Sequence, residues 1–226
     1  MRYVLSVRPE KKVKPVTTDC FSIINVPVTD LKPIDIDYDD ILSENNVECI
    51  AFTSSYGAHL FFIKARNKAF RYFGIGKTTC EEVERNGFRC EYPERMDSEG
   101  LANLLLSRCA GRRIALIRSR SANKIVNDRL KGKAFFLDIR NYEAVPTGVD
   151  LAQYLQSDDC AGIIVTSSME AEIALPYIRA SGKPVYSIGD VTTETLENAG
   201  VHPLISGKSD FSDLVKKIKE YLCSIS

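Results

Sequence analysis

The sequence predicts an α/β protein made of two similar units, each built on a parallel sheet. Three observations carry that expectation. First, the stretch Ile50-Ala51-Phe52-Thr53-Ser54-Ser55 returns 113 positions later as Ile163-Ile164-Val165-Thr166-Ser167-Ser168. At the same offset Ala58 maps to Ala171, Ile75-Gly76 to Ile188-Gly189, Thr79 to Thr192, Glu81 to Glu194, Gly87 to Gly200 and Leu101 to Leu214. An ungapped match of that length reads as an internal duplication. Second, apolar runs such as Cys49 to Phe52 are continuous, as in strands buried on both faces. Third, such runs alternate along the chain with helical patterns, the order expected of parallel sheets covered by helices.

Taken in order, Arg2 to Val7 is a strand ended by Arg8-Pro9. Glu10 to Asp19 is charged, contains proline and is too short and broken for a good helix. Cys20 to Val26 is the second strand. Val26-Pro27-Val28 and Leu31 to Ile36 read as extended, a crossing between units, and Asp37 to Asn45 holds a short helix. The first repeat gives strand Cys49 to Phe52, helix Tyr56 to Ala65 and strand Phe70 to Ile75. After the turn Gly76-Lys77-Thr78-Thr79 comes helix Cys80 to Asn86, stopped by Gly87. A short strand at Phe88 to Tyr92 precedes a helix from Ser98, with Leu101, Leu104, Leu105 and Cys109 on one face. Strand Arg113 to Ile117, helix Ser121 to Leu130 and strand Ala134 to Tyr142 continue the alternation. Val145-Pro146-Thr147-Gly148 reads as a second crossing, or a return, and Val149 to Gln156 as a helix. The second copy repeats strand, Thr-Ser-Ser turn, helix, strand Val185 to Ile188, glycine turn and helix to Ala199. A strand around Val201 to Leu204 follows, and Phe211, Leu214, Val215, Ile218 and Leu222 stripe the last helix.

Composition narrows the function. The 226 residues are 44% hydrophobic and 27% charged, with 30 basic and 30 acidic side chains. Zero formal charge gives no general attraction to nucleic acid or an anionic membrane. No apolar run approaches the roughly 20 residues that span a bilayer. Seven cysteines form no C-x-x-C pair and several fall in apolar patterns, so free buried thiols and a reduced, cytoplasmic protein are expected. His59 and His202 lack ligand neighbours at metal spacing, and no metal is expected. His59, within an apolar helical run, is expected at the core or its boundary.

The candidate chemistry lies at the carboxyl ends of strands, where parallel sheets bind ligands. Thr53, Ser54 and Ser55, Gly76, Lys77 and Thr79, and their copies Thr166, Ser167, Ser168, Gly189 and Thr192 all fall there. Helix N-termini at such turns offer free N–H groups and a positive dipole end to carboxylates or phosphates. The structural alternative is that these residues only cap helices, with capping boxes at Thr79/Glu82 and Ser167/Glu170. Neither glycine turn has phosphate-loop spacing and no G-x-G-x-x-G occurs, so nucleotide binding is unsupported. There is no nucleophile elbow and no H-E-x-x-H. Arg118, at a strand's carboxyl end, is either a clamp for an acidic ligand or part of a solvated strand end. Tyr142 is either a phenolic donor or a packing residue.

The ordered set resembles the uroporphyrinogen-III synthase family. The matching pieces are Ser6-Val7-Arg8-Pro9, Phe52-Thr53-Ser54, Ile75-Gly76-Lys77-Thr78-Thr79 with Gly87, and Ser98-Glu99-Gly100-Leu101. They continue with Leu116-Ile117-Arg118, Asn141-Tyr142, Val165-Thr166-Ser167-Ser168, and Ile188-Gly189 to Thr192 with Gly200. The resemblance implies two flavodoxin-like α/β domains joined by two extended crossings: residues 1–26 with 146–226, and residues 27–145. It implies a cleft between them that takes hydroxymethylbilane, a linear tetrapyrrole with eight carboxylates. The terminal hydroxyl is lost, the last pyrrole ring is inverted and the macrocycle closes, without cofactor or metal. Arg8, Ser98 and Arg118 then join the repeated turns as substrate-binding positions, and Tyr142 assists departure of the hydroxyl. The chain departs from the family at the shortened Glu10 to Asp19 and at Asp190-Val191 in the second glycine turn. A monomer is expected. The alternative is a two-domain clamshell that holds a small polyanion and does no chemistry; it has no need of Tyr142.

Overall fold

The structure is a computed structural model describing residues 2–12, 18–66, 69–208 and 210–224. The chain divides into two compact units, Met1–Asp30 with Val145–Ser226, and Leu31–Ala144. It passes between them within strand β3 (Thr29–Pro33) and again within strand β8 (Phe135–Pro146).

The first unit holds β1 (Tyr3–Ser6), a 3-10 turn at Glu10–Lys12, β2 (Ser22–Asn25) and α6 (Ala152–Leu155). It continues with β9 (Cys160–Val165), α7 (Ser168–Ser181), β10 (Val185–Ser187), α8 (Asp190–Asn198), β11 (Ile205–Ser206) and α9 (Phe211–Ser224). Its sheet runs β11-β10-β9-β1-β2, with every pairing parallel. Of the segment Glu10 to Asp19, residues 13–17 lie outside the described residues.

The second unit holds α1 (Tyr38–Glu44), β4 (Cys49–Phe52), α2 (Ser55–Lys64), β5 (Arg71–Gly74), α3 (Lys77–Arg85) and β6 (Cys90–Glu91). α4 (Ser98–Arg108), β7 (Arg113–Ser119) and α5 (Ile125–Leu130) lead to β8. The sheet order is β3-β8-β7-β4-β5-β6, parallel from β8 to β6.

The continuous apolar runs are explained by the two sheet faces. Successive side chains of a strand point to opposite sides. In β4, Ile50 and Phe52 enter one core with Ala58, Phe61 and Phe62 of α2. Cys49 and Ala51 enter the other with Leu101, Ala102 and Leu105 of α4 and Val126 and Leu130 of α5. In β9, Ile163 and Val165 meet Ala171, Ala174 and Ile178 of α7, while Ile164 meets Leu214, Val215, Ile218 and Leu222 of α9. Full burial of each of the Ile, Val, Leu and Phe side chains among these stabilises by about 1.5–3 kcal/mol.

Several expectations need correction. Four cysteines are paired, not free: Cys20 with Cys223 and Cys80 with Cys90. α9 packs on the sheet face that also holds Val4 and Phe21, which brings Cys223 within 5.8 Å of Cys20 between Cα atoms. The Cα atoms of Cys80 and Cys90 are 5.3 Å apart, also in disulfide range. Cys49, Cys109 and Cys160 are free and buried. His59 is exposed on α2 and pairs with Glu82 at 3.1 Å. α3 begins at Lys77, so Thr79 lies inside the helix and no Thr79/Glu82 capping box forms. α5 begins at Ile125, not Ser121, because the Arg140 guanidinium takes the carbonyls of Ser119, Arg120 and Ala122. No helix among the described residues is long and apolar enough to cross a membrane.

Candidate functional site

The duplication is visible in the backbone of the turns. Ser54 and Ser167 are the N-caps of α2 and α7, both extended, with φ/ψ of −160°/150° and −156°/161°. Each hydroxyl accepts an N–H three residues on, Gly57 at 3.0 Å and Glu170 at 3.3 Å. Gly76 and Gly189 are the N-caps of α3 and α8, both fully extended and without a side-chain cap. The strand-to-turn links match too, with Ile75 N–H to Phe52 carbonyl at 2.9 Å and Ile188 N–H to Val165 carbonyl at 3.1 Å. Each unit thus has one serine-capped helix start and one capped by a bare glycine.

The rest of each site differs. In the second unit β8 carries a bulge: Arg118 is opposite Arg140, but Ser119 is opposite Tyr142, leaving Asn141 as the extra residue. A bulge re-aims side chains, and here Asn141 and Tyr142 both reach the start of α2. Asn141 Nδ2 donates to the Gly57 carbonyl at 2.9 Å and to the Tyr38 hydroxyl at 2.9 Å. The Tyr142 hydroxyl donates to Ser54 Oγ at 2.8 Å, and its ring stands edge-on to Tyr56 with centroids 5.1 Å apart. Tyr142 is 4% exposed. Burial pushes its phenol above the ordinary value, opposed by hydrogen bonds with Ser54 and Ser119, so the group is a neutral donor at physiological pH.

In the first unit the Thr-Ser-Ser turn borders a charge cluster made of the buried Glu170 and the half-buried Arg8 and Lys12. Glu170, 2% exposed, accepts the Thr166 N–H at 2.7 Å and the Thr166 hydroxyl at 2.9 Å. Half of the expected box therefore forms, since Ser167 Oγ accepts the Glu170 N–H at 3.3 Å, while the Glu170 carboxylate returns to Thr166 and not to Ser167. Burial raises Glu170, with those bonds and the charges of Lys12 and Arg8 opposing it. Burial likewise lowers Arg8, against the charges of Glu170 and Asp210, and lowers Lys12, against Glu170. The Arg8 guanidinium lies 4.1 Å from the Phe211 ring centroid, and its Nε is buried without a hydrogen-bond partner among the described residues. Ser168 Oγ is 2.8 Å from Thr195 Oγ1.

Other expected positions are spread more widely. Lys77 is exposed, while Thr79 and Thr192 are buried. Ser98 opens α4, but the cap is Asp97, which accepts the Gly100 N–H at 2.8 Å. Arg118 is neither a solvated strand end nor an open clamp. It is 1% exposed, donates from Nε to Asp138 Oδ1 at 2.9 Å and also bonds Asn127. Sequence reasoning passed over Lys12, gave Glu170 only a capping role, and gave Asn141 no role beside Tyr142. Among the described residues no group of three or more His, Cys, Asp or Glu could hold a metal ion.

Residues 17–216 match the family model described as Uroporphyrinogen-III synthase HemD. The chain belongs to the uroporphyrinogen-III synthase family. Its activity is that of a cyclising lyase of tetrapyrrole biosynthesis, closing hydroxymethylbilane with inversion of the last pyrrole ring and loss of water. The two-domain α/β fold is shared with solved uroporphyrinogen-III synthases. The Helicobacter pylori enzyme is 14% identical with a TM-score of 0.70, covering 98% of this chain and all of that one. A mutant Thermus thermophilus enzyme is 14% identical with a TM-score of 0.65, covering 99% of this chain and all of that one. No curated protein matches the chain by sequence.

Proposed function

We propose that the synthase holds the carboxylates of hydroxymethylbilane at the starts of α2, α3, α7 and α8, with Tyr142 supporting departure of the terminal hydroxyl. The repeated cap geometry carries this reading. The bare N-caps Gly76 and Gly189 leave first-turn amides open, and a helix start favours a carboxylate without a lysine or arginine. Thr53, Ser55, Lys77, Thr166 and Ser168 border these starts, Ser98 extends the reading to the start of α4, and Arg8 adds a cation in the first unit. Thr79 and Thr192 are buried, and the Thr79 N–H donates to the Gly76 carbonyl at 3.1 Å, so this reading gives contact at these turns to the backbone ahead of them and not to the threonine hydroxyls. Much of the rate comes from holding the chain so that the inverted closure outruns spontaneous closure to the symmetric isomer. The protein works as a monomer, without nucleic acid, metal or cofactor. Four paired cysteines remove the free-thiol ground for a cytoplasmic location, which rests on the family alone.

The direct test supplies freshly generated hydroxymethylbilane, oxidises the products and separates the isomers. Type III product is expected, and type I alone, as in buffer, sinks the assignment. Tyr142→Phe is expected to slow the reaction about 100-fold, the lower end of a positioned proton donor's contribution, without abolishing it. Full activity removes the residue from the mechanism. The non-catalytic clamshell is disfavoured by family membership.

A further inference from the structure

The bonding of Tyr142 points to a different final donor. The phenol is 4% exposed and its proton is directed at Ser54 Oγ, 2.8 Å away. Ser54 is half-buried, and its Oγ also accepts the Gly57 N–H at 3.0 Å. That oxygen accepts two hydrogen bonds, so its own proton is the one left to give, and it has no acceptor among the described residues. Close packing holds the arrangement. A Cβ added to Gly57 would stand 3.2 Å from Ser54 Oγ, 3.3 Å from Asn141 Oδ1 and 3.5 Å from the Tyr142 ring. Two bonds from Asn141 and the bulge at that residue fix the strand that carries the phenol.

We infer that Ser54 is the catalytic hydroxyl that meets the departing oxygen, and that Tyr142 is a positioning residue acting through it as the second member of a two-proton relay. The inference rests on the reading of Tyr142 given above and changes which atom touches the substrate. The Ser54 proton passes to the leaving hydroxyl oxygen while the Tyr142 proton passes to Ser54. The carbon–oxygen bond breaks with its electron pair going to oxygen, which departs as water, and the pyrrole nitrogen lone pair satisfies the carbon. Formation of the final carbon–carbon bond later releases one proton from the α-carbon of the attacking pyrrole, and this returns to the phenolate. Cooperative polarisation along such a chain makes the terminal hydroxyl a better donor than an isolated serine. The duplicate Ser167 has the same cap geometry, and its oxygen caps Glu170 with no phenol bonded to it among the described residues.

The test uses single-turnover rates with hydroxymethylbilane for wild type, Ser54→Gly, Ser54→Thr, Tyr142→Phe and the Ser54→Gly/Tyr142→Phe pair. Glycine is tolerated at an N-cap, so Ser54→Gly removes the hydroxyl with little loss of the helix start. A relay in series predicts about 100-fold loss for either single change and little further loss for the pair, since groups acting as one unit are not additive. Ser54→Thr, which restores a hydroxyl, recovers most of the rate. In mixtures of light and heavy water the wild-type rate is expected to bow as two protons move, and the Ser54→Gly rate to fall linearly. Full activity in Ser54→Gly beside a slow Tyr142→Phe overturns the relay alone. A linear wild-type plot overturns it too, as does loss in Ser119→Ala without loss in Ser54→Gly. Full activity in Tyr142→Phe overturns the relay together with the reading beneath it.

Discussion

Replacing Arg118 by Met separates a structural arginine from a substrate-binding one. The guanidinium is 1% exposed and bonded to Asp138 and Asn127, so no ligand reaches it without breaking those contacts. Removing one partner of a buried pair costs about 3–5 kcal/mol when the other is left alone. Asp138 is not left alone. It keeps Arg140 at 2.6 Å and the Asn127 amide at 2.8 Å, and its side chain is 24% exposed. Methionine also fills much of the vacated volume and avoids the desolvation that lowers Arg118. The expected loss is therefore about 2 kcal/mol, which at about 4 °C per kcal/mol lowers Tm by about 8 °C. Burial works to raise Asp138, but hydrogen bonds from Asn127 and Arg140 and the Arg118 charge outweigh it and hold the carboxyl below its ordinary value. A depressed carboxyl contributes stability above its unfolded value of about 3.9, and that contribution is lost as pH falls through the folded value. The gap between wild type and variant is therefore expected to narrow below about pH 4. Circular-dichroism melts at several pH values, with initial rates at 25 °C, measure both sides. A tenfold rise in KM with an unchanged melt would refute the structural reading and return Arg118 to the substrate.

Three further outcomes follow from specific contacts. Gly57→Ala pushes a methyl group against Ser54 Oγ and Asn141 Oδ1, so activity is expected to fall about tenfold, a misplacement effect, with a smaller change in melting; unchanged kcat would show that the phenol–serine contact does not matter. Gly100→Ala places a Cβ 1.9 Å from the Arg95 carbonyl oxygen, which the backbone cannot absorb, so the variant is expected to lose about 2–4 kcal/mol, an ordinary cost for severe overpacking or backbone displacement. A wild-type melt from that variant would refute it. Reducing the protein opens the Cys20–Cys223 link across 203 residues of sequence, and a loss of about 2–4 kcal/mol is expected; superimposable melts with and without dithiothreitol would exclude the bond in solution.

Much of the fold was legible because it rests on periodicity. Continuous runs at Cys49 to Phe52 and Ile163 to Val165 could only be satisfied by cores on both faces, and that is how the side chains divide. Helix starts were legible where a side chain makes the cap, as at Ser54 and Ser167, and misplaced where it does not. At Gly76 the cap is bare backbone, so Thr79 took a role in sequence that the helix gives it no chance to play. The α5 start was lost to a long-range bond, since nothing within residues 119–122 records that Arg140 will take their carbonyls. The cysteine pairs were hidden for the same reason, being set by how α9 and β6 pack and not by spacing. The bulge at Asn141 was hidden most completely. Strict alternation would send Asn141 and Tyr142 to opposite faces, whereas one extra residue turns both toward α2.

The duplicated turns also show how one local device comes to serve different chemistry. Ser54 and Ser167 share backbone angles to within about 11° and cap their helices alike. What differs is the strand that runs past each cap. β8 brings the neutral Tyr142 phenol to Ser54 Oγ and the Asn141 carboxamide to the Gly57 carbonyl, neither of which adds charge. Beside Thr166 and Ser167 stand Glu170, Arg8 and Lys12, where burial pushes every charge toward its neutral form. A neutral relay suits the breaking of a carbon–oxygen bond, because its donor stays protonated over the whole working pH range. On the proposed reading the half-buried Arg8 and Lys12, facing Glu170 and, at Arg8, Asp210, are the groups that would meet an incoming carboxylate. The caps themselves carry no such distinction, so the division of labour proposed for the two copies rests on their neighbours and could not be read from the repeat.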